Sequence, residues 1–195
     1  AKELAKKLGF SYAYGVLVVS VNKNGKYIQD YGNAIISRYP IESSNIVRLK
    51  NVLGRWDFNL GDKHFGNRMA LHAEISTPIG KLDIFNVHFD TLVLQNKRKE
   101  QVEKFLNDIK SIKTSNKEII AGDFNTFQLK EKKVRKAFET EGYSNVFGKK
   151  FNITHNFIIP FHLDHIYTKG LKLIKHKVMK NMKYSDHYPI IAELK

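Results

Sequence analysis

A buried strand that ends in a polar turn constrains this chain more than any other stretch of its sequence. The apolar run Ile119–Ala121 leads into Gly122-Asp123-Phe124-Asn125. An apolar, β-rich run that stops at a glycine is typical of a buried strand whose last residues reach the edge of a sheet. Strand alternation then points Asp123 and Asn125 the same way. A carboxylate beside a carboxamide can bind metal and phosphate, although both residues are also ordinary turn formers.

The composition predicts a single globular domain over residues 1–195. With 195 residues, 42% of them hydrophobic, the chain can bury one substantial core, and it shows no linker, internal repeat or composition break. No apolar run reaches the roughly 18 residues of a membrane-spanning helix. The absence of cysteine excludes disulfides, thiolate metal sites and cysteine nucleophiles. Any metal must therefore bind oxygen or imidazole ligands, and the compartment stays open.

The strong positive charge favours an anionic partner. Lys and Arg number 33 against 19 Asp and Glu, which gives a formal net charge of +14. The basic residues cluster at 97–99, 130–136 and 169–183. A field of this sign attracts nucleic acid, phosphorylated ligands and anionic membrane surfaces. The charge does not distinguish among these partners, and solvent-exposed lysines without any binding role would give the same net charge.

Hydrophobic patterns predict an α+β fold. The predicted strands are Val16–Val21, Asn33–Ser37, Ile46–Leu49, Arg68–Ser76, Lys81–His88, Glu118–Ala121, Leu163–Thr168, Leu171–Met179 and Tyr188–Leu194. The predicted helices are Ala1–Leu8, Gln95–Lys113 and Leu129–Glu141. Many strands with a few interposed helices fit two- or four-layer designs in which sheets pack face to face and helices cover them.

Residues that catalysis could use fall repeatedly at predicted strand ends. His88 ends one strand, and a lone histidine there is more often structural. Asp164 lies in an apolar strand, where an unpaired buried carboxylate costs several kcal/mol and therefore needs a partner. A histidine is the natural partner, and the loop before the last strand supplies Asp186 and His187. With Asp123 and Asn125 this is the inventory of a metal-assisted phosphoester hydrolase.

Several motifs occur in a specific order along the chain. They are Tyr31–Ile41, Arg68–Leu71, Asn86–His88, Gly122–Asn125, Leu163–Ile166 and Ser185–Pro189. In this combination the chain resembles the endonuclease/exonuclease/phosphatase family, the fold group of pancreatic DNase I. The resemblance implies a DNase I-like four-layer α/β/β/α sandwich and a Mg²⁺-dependent phosphoesterase, with Mn²⁺ as an alternative ion.

The resemblance also implies catalytic roles. His187 matches the family's water-activating histidine, and Asp164 matches the aspartate that orients it. Asp123 matches the aspartate assigned to leaving-group protonation or to metal and water positioning. His88 matches the second histidine of the DNase-like and phosphatase-like branches, where the abasic-site repair branch usually has a tyrosine.

Binding roles follow from the same resemblance. Asn125 matches the phosphate-binding asparagine, and Asp186 matches a carboxylate of the metal shell, to which Asp123 also contributes. Asn33 and Arg68 are expected at the rim of the pocket, in contact with substrate. A structural role is about equally compatible with these last two residues.

The start of the chain departs from the family pattern. The family begins with a strand carrying an asparagine, followed by a strand ending in Gln-Glu whose glutamate is the principal Mg²⁺ ligand. Neither motif is present, and Glu3–Phe10 resembles the stretch that follows them. We therefore expect a fold that lacks its first two strands, an exposed sheet edge that invites dimer formation by strand pairing, and weak Mg²⁺ binding with little hydrolysis.

The substrate stays open at this level. Nucleic acid is the first expectation because of the basic charge, and a lipid- or inositol-phosphate phosphatase, or a sphingomyelinase-like phosphodiesterase, is the alternative on the same fold. The stretch Arg55–Asn59, with Lys63–Phe65, is a candidate specificity loop. A non-catalytic, basic nucleic-acid-binding protein is the third hypothesis, and the intact Asp164 and His187 weigh against it.

Overall fold

The elements of the fold are taken from a computed structural model that describes residues 1–21, 24–50, 52, 63–66, 68–91, 93–126, 131–155 and 161–195. The helices of this part are α1 (Lys2–Leu8), α2 (Gln95–Ile109) and α3 (Glu131–Thr140). Its strands are β1 (Ser11–Val21), β2 (Tyr27–Ser37), β3 (Ile41–Arg48), β4 (Lys63–Gly66), β5 (Met69–Thr77), β6 (Gly80–His88), β7 (Glu118–Asp123), β8 (Ser144–Asn145), β9 (Asp164–Lys169), β10 (Leu173–Val178) and β11 (Ile190–Leu194).

Within the described residues the strands form three sheets. The largest is six-stranded, in the order β3-β5-β6-β7-β9-β8. Its neighbours pair antiparallel except β6 and β7, which are parallel and are connected through α2. The second sheet has the order β2-β1-β4, and β10 pairs with β11. The segment between β10 and β11 carries Ser185–His187 to the edge where β7 ends and β9 begins.

The six-stranded sheet is covered on both faces, and strand alternation decides which residue faces which layer. Phe85 and Val87 of β6 pack with the apolar stripe of α2 and with α3. Ile84, the residue before Phe85, points to the other face and packs against the small sheet that contains β1 and β2. At the other end of the large sheet, Ile166 of β9 packs with the β10-β11 pair. The arrangement is the predicted α+β fold of sheets packed face to face beneath helices.

The helices form where the sequence predicts them, except that α2 ends at Ile109 and not at the predicted Lys113. The buried stripe of α2 is Val102, Phe105, Leu106 and Ile109. Gly9 ends α1 in the left-handed conformation, with φ of 66°, which a glycine adopts at no steric cost. In α3 the described residues begin at Glu131, so the predicted first residues, Leu129 and Lys130, lie outside them.

The structure lengthens several predicted strands and adds two. The first predicted strand, Val16–Val21, begins at Ser11 instead, because residues 11–16 pair antiparallel with β2. Strands β4 and β8 are short, and apolar alternation did not predict either. Lys63–Phe65, predicted within a specificity loop, pair with β1 as part of β4. The rest of that predicted loop, Arg55–Asn59, lies outside the described residues.

In the part of the chain that the structure describes, no helix is long and apolar enough to cross a membrane.

Candidate active site

Strand register brings three of the predicted residues side by side. His88 at the end of β6 is the backbone neighbour of Asp123 at the end of β7. On its other side Asp123 is the neighbour of Asp164, which begins β9. Because β6 and β7 are parallel and β9 is antiparallel to them, two strand ends and one strand start meet at a single sheet edge. Residues separated by 76 positions in the sequence thereby form one contiguous row.

A tight turn after β7 fixes the position of Asp123. Gly122 has φ of 140°, and a Cβ at this position would lie 2.0 Å from the carbonyl oxygen of Val87, so only glycine fits. Asn125 adopts φ of 49°, which asparagine tolerates better than most residues. Its backbone N–H donates to Asp123 Oδ1 at 2.8 Å, and its Nδ2 donates to Asp123 Oδ2 at 3.1 Å and to the carbonyl of Phe89 at 3.0 Å.

The contacts of Asn125 bear on its predicted role. Both N–H groups of its amide have partners within the protein, and the side chain is buried. In this geometry Asn125 holds the Asp123 carboxylate in place. Its predicted role as a hydrogen-bond donor to the substrate phosphate stays a prediction.

The Asp164–His187 pair is the most organised contact of the site. His187 Nδ1 lies 2.8 Å from Asp164 Oδ2, which directs Nε2 away from the carboxylate. Thr154 Oγ1 in turn accepts the backbone N–H groups of Leu163 at 2.9 Å and Asp164 at 3.0 Å, which fixes the start of β9. The hydrogen bond with Asp164 raises the pKa of His187. The arrangement leaves Nε2 of an oriented imidazole available to accept a proton.

His88 and Asp123 face each other across the strand ends. His88 Nε2 lies 3.6 Å from Asp123 Oδ2. Burial, followed by the charges of Arg68, His187 and Arg98, lowers the pKa of His88, although about a third of its side chain is exposed. Burial and the neighbouring Asp164 raise the pKa of Asp123 to about 6. The site thus contains an acid and two imidazoles in different electrostatic environments, a feature common in hydrolytic sites.

A buried network behind the site supports Arg68. The Nε of Arg68 lies 3.6 Å from Asp90 Oδ1. Gln101 Nε2 donates to Asp90 Oδ2 at 2.8 Å, and Arg98 Nη1 donates to Gln101 Oε1. Burial lowers the pKa of both arginines, that of Arg98 to about 10. The charge of Arg68 acts on Asp123, whose pKa it lowers.

This network contains residues that the sequence prediction missed. The sequence analysis counted Arg98 with Lys97 and Lys99 as one basic cluster, yet Arg98 is only 1% exposed. Its position three residues before Gln101 and four before the buried Val102 places it on the apolar face of α2, and that spacing was the available signal.

Two predicted residues lie at the margins of the cluster. Asn33 is buried under the sheet edge, and its Nδ2 donates to the carbonyls of Asn86 at 2.9 Å and Met69 at 3.3 Å. These bonds tie β2 to the large sheet, and a substrate contact by Asn33 stays a prediction. Asp186 is mostly exposed and accepts a hydrogen bond from Ser185 Oγ at 3.0 Å.

His155, which the sequence prediction also missed, lies beside Asp186. Its Nε2 is 3.7 Å from Asp186 Oδ2, and its ring centroid is 4.7 Å from that of His187. No sequence signal indicated this neighbour, because an isolated backbone bridge, His155 with His187, brings it there.

The donor atoms fit Mg²⁺ only in part. In the part of the chain that the structure describes, one group of three acidic or imidazole side chains has ligand atoms close enough to share an ion: His155, Asp186 and His187, all within 4.8 Å of one another. Two of its three donors are imidazole nitrogens, whereas Mg²⁺ prefers oxygen ligands. Asp123, the other predicted carboxylate, is not a member of this group.

Comparison with solved structures decides the fold. A protein from Beutenbergia cavernae DSM 12333 described as endonuclease/exonuclease/phosphatase superposes with a TM-score of 0.72 at 16% identity, over 99% of this chain and 55% of that chain. D. rerio TDP2 complexed with a single-strand DNA product gives 0.72 at 16% identity, over 100% of this chain and 81% of that chain. This chain has the endonuclease/exonuclease/phosphatase fold. The mannosyl-6-phosphatase Bt3783 of Bacteroides thetaiotaomicron VPI-5482 also shares the fold, with a TM-score of 0.66 at 20% identity over 94% of this chain and 77% of that chain.

Comparisons of the sequence alone found no match. No protein-family model matches it, and no curated protein matches it. At identities of 16 to 20% the likeness establishes the endonuclease/exonuclease/phosphatase fold and leaves activity and substrate to the residues of the site.

Proposed function

We propose that the protein is a hydrolase of the nuclease-type phosphodiesterase class, which cleaves phosphoester bonds by in-line attack of a water molecule that His187 activates. The observation that carries the proposal is the 2.8 Å contact between His187 Nδ1 and Asp164, at the sheet edge that also holds Asp123 and His88. A non-catalytic binding protein has no need of an imidazole oriented by a partly buried carboxylate.

The proposed reaction is a single displacement at phosphorus. His187 Nε2 takes a proton from water while Asp164 stabilises the imidazolium that forms. The water oxygen bonds to phosphorus as the ester P–O bond opposite it breaks. Asp123, whose pKa is raised, returns a proton to the leaving oxygen or positions the reacting groups, and Arg68 contributes positive charge close to it.

The proposed site also includes a divalent cation, which takes part in none of the proton transfers described above. The resemblance of the sequence to its family implies Mg²⁺, with Mn²⁺ as an alternative, held by the carboxylates of Asp186 and Asp123. Such an ion, when bound, offsets negative charge on the phosphate. The residue roles above depend only on the side chains of this chain.

Nucleic acid is the substrate class that the charge supports. The net charge of +14 suits a polyanion, and a TDP2 of the same fold is complexed with single-strand DNA product. The mannosyl-6-phosphatase among the similar structures favours a phosphatase as the second candidate. Lipid- or inositol-phosphate substrates belong to that second group.

The experiment compares substrates and one pair of variants. The longest natural form of the protein is assayed against plasmid DNA, RNA, sphingomyelin and phosphoinositides, with Mg²⁺, with Mn²⁺ and with chelator. We expect metal-dependent cleavage of nucleic acid that falls by about 10²- to 10⁴-fold in His187→Ala. His176→Ala removes an exposed histidine of β10 away from the site and is expected to keep the wild-type rate.

The outcomes separate the hypotheses. Full activity of His187→Ala on the preferred substrate would refute the catalytic assignment. Hydrolysis restricted to lipid or inositol phosphates would transfer the protein to the second candidate function. Binding of nucleic acid without turnover under any condition would favour the non-catalytic protein.

A further inference from the structure

A second segment of backbone holds His155 against the loop that carries the water-activating histidine. His155 and His187 form an isolated antiparallel bridge, and the backbone N–H of Tyr188 donates to the carbonyl of Thr154 at 2.7 Å. Thr154 is fully buried and its hydroxyl also fixes the start of β9. The two imidazoles are therefore positioned by the same hydrogen-bonded frame, with ring centroids 4.7 Å apart.

The ligand atoms of this cluster lie close together. His155 Nε2 lies 3.7 Å from Asp186 Oδ2, and the ligand atoms of His155, Asp186 and His187 all lie within 4.8 Å of one another. Tetrahedral zinc, with ligand bonds of about 2.0 to 2.2 Å, needs donor atoms about 3.3 to 3.6 Å apart. Closing separations of up to 4.8 Å to that value takes movements of up to about 1.5 Å, and the exposed Asp186 side chain can turn toward the two rings.

The ring contacts of the two histidines leave one nitrogen of each ring for a metal ion. A metal-ligating histidine usually donates its other ring N–H to a carboxylate, which fixes the ring and leaves one nitrogen for the ion. Asp164 provides that contact for His187 through Nδ1, so Nε2 is the nitrogen left for an ion. The Nδ1 of His155 is buried, which leaves Nε2 as its accessible donor toward Asp186. Two imidazoles and one carboxylate suit Zn²⁺ far better than Mg²⁺.

We propose that His155, Asp186 and His187 form a binding site for one Zn²⁺ ion, with His155 Nε2, one Asp186 oxygen and His187 Nε2 as protein ligands and water in the fourth position. The site shares Asp186 with the oxygen-liganded Mg²⁺ that the family resemblance implies, and it differs in taking two imidazole ligands, from His155 and His187, in place of Asp123. Asp186 at the surface gives the ion a path from solvent.

The first test measures zinc binding directly. The purified, metal-free chain is titrated with Zn²⁺ in competition with a chromophoric chelator, and one equivalent is expected to bind. His155→Phe keeps an aromatic ring but removes a ligand, and should weaken binding at least 10-fold. Asp186→Asn, at an exposed position where a substitution does not threaten folding, should also weaken it. His176→Gln, an exposed histidine outside the cluster, is the matched control and should bind as the wild type does.

The second test identifies the ligand atoms. Histidine ring ¹⁵N–¹H correlation spectra are recorded with and without one equivalent of Zn²⁺. The Nε2 signals of His155 and His187 should shift, whereas those of His176 should not. Wild-type affinity in both His155→Phe and Asp186→Asn, or Zn²⁺-induced shifts confined to other histidines, would overturn the proposal. Neither readout depends on enzymatic activity, so failure of the proposed function and failure of the zinc site are distinguishable.

Discussion

At the scale of single residues, the site is defined by which atom of each side chain is already engaged. Asp164 occupies His187 Nδ1, and Asn125 uses both of its amide N–H groups on Asp123 and Phe89. The one open nitrogen of His187 is therefore both the proposed acceptor of a proton and the proposed ligand of zinc. A single atom cannot serve in both ways at once.

Zinc is consequently expected to inhibit any hydrolysis that depends on His187. Addition of Zn²⁺ at constant Mg²⁺ should reduce the rate at the concentration that saturates the His155 site, because the ion occupies the Nε2 lone pair. His155→Phe should need at least 10 times more Zn²⁺ for the same inhibition. Phosphoester hydrolysis measured over a zinc titration tests this, and equal inhibition of wild type and His155→Phe would contradict it.

Two fully buried histidines make stability dependent on pH. Burial lowers the pKa of His162 to about 4 and that of His165 well below its usual 6.5. In the unfolded chain both imidazoles take up protons as the pH falls through 6.5, whereas the folded protein keeps them neutral. The unfolded state then binds more protons, so the free energy of unfolding falls below pH 6.5, by about 1.4 kcal/mol per pH unit for each imidazole.

Urea unfolding at several pH values between 7.5 and 5 measures this loss. His162→Phe removes one of the two imidazoles and should therefore reduce the pH dependence of the unfolding free energy. The ring of His162 lies among Phe147 and Phe151, so an apolar ring suits that place. An unfolding free energy that stays constant from pH 7.5 to 5 would show that the two histidines are not neutral in the folded state.

At the scale of elements, the ends of β6 and β7 and the start of β9 build the site through their register. The sequence indicated that His88, Asp123 and Asp164 lie at or near strand ends, because polar residues interrupt apolar runs there. It could not show that these strands are neighbours, since pairing depends on contacts between distant segments. His155 was missed for the same reason, as a backbone bridge rather than a motif places it.

Gly122 is a position where this register tolerates no side chain. A Cβ there would lie 2.0 Å from the carbonyl oxygen of Val87, and φ of 140° is open only to glycine. Gly122→Ala should therefore lower the free energy of unfolding by at least about 3 kcal/mol. Gly148→Ala is the matched control: φ is 59° and no atom lies within 4 Å of its Cβ, so a loss of about 1 kcal/mol is expected.

Chemical denaturation of both variants measures the difference. Equal losses in Gly122→Ala and Gly148→Ala would mean that the close approach of β7 to β6 is not required.

At the scale of the whole molecule, the layered α+β arrangement followed from sequence patterns, whereas the short strands did not. Apolar alternation predicted the long strands of the large sheet because one or both of their faces are buried. Strand β8 has only two residues and β4 only four, which is too short for a periodic signal. Arg98 was counted in a basic cluster from its charge, although its place on the apolar face of α2 buries it.

The exposed strand β2 predicts self-association. It lies at the edge of the β2-β1-β4 sheet in the described residues and exposes Tyr27, Ile28 and Tyr31. An apolar edge strand with free backbone groups can pair with a second copy, so the mass should rise with concentration. Ile28→Lys should suppress the effect, since a lysine blunts an edge strand, whereas Leu94→Lys, at an exposed position before α2, should not.

Light scattering across a concentration series tests this. A monomer mass at every concentration, or association unaffected by Ile28→Lys, would exclude pairing through β2.

The central claim is that Asp164 and His187 act as one unit that activates water for phosphoester hydrolysis. A double-mutant cycle tests it most directly, with kcat/KM measured on one phosphodiester for the wild type, Asp164→Ala, His187→Ala and the double variant. Groups that act as a unit lose activity non-additively. We predict that each single variant loses about 10²-fold or more and that the double variant is no slower than His187→Ala. Wild-type activity in His187→Ala, or losses that multiply in the double variant, would contradict the account.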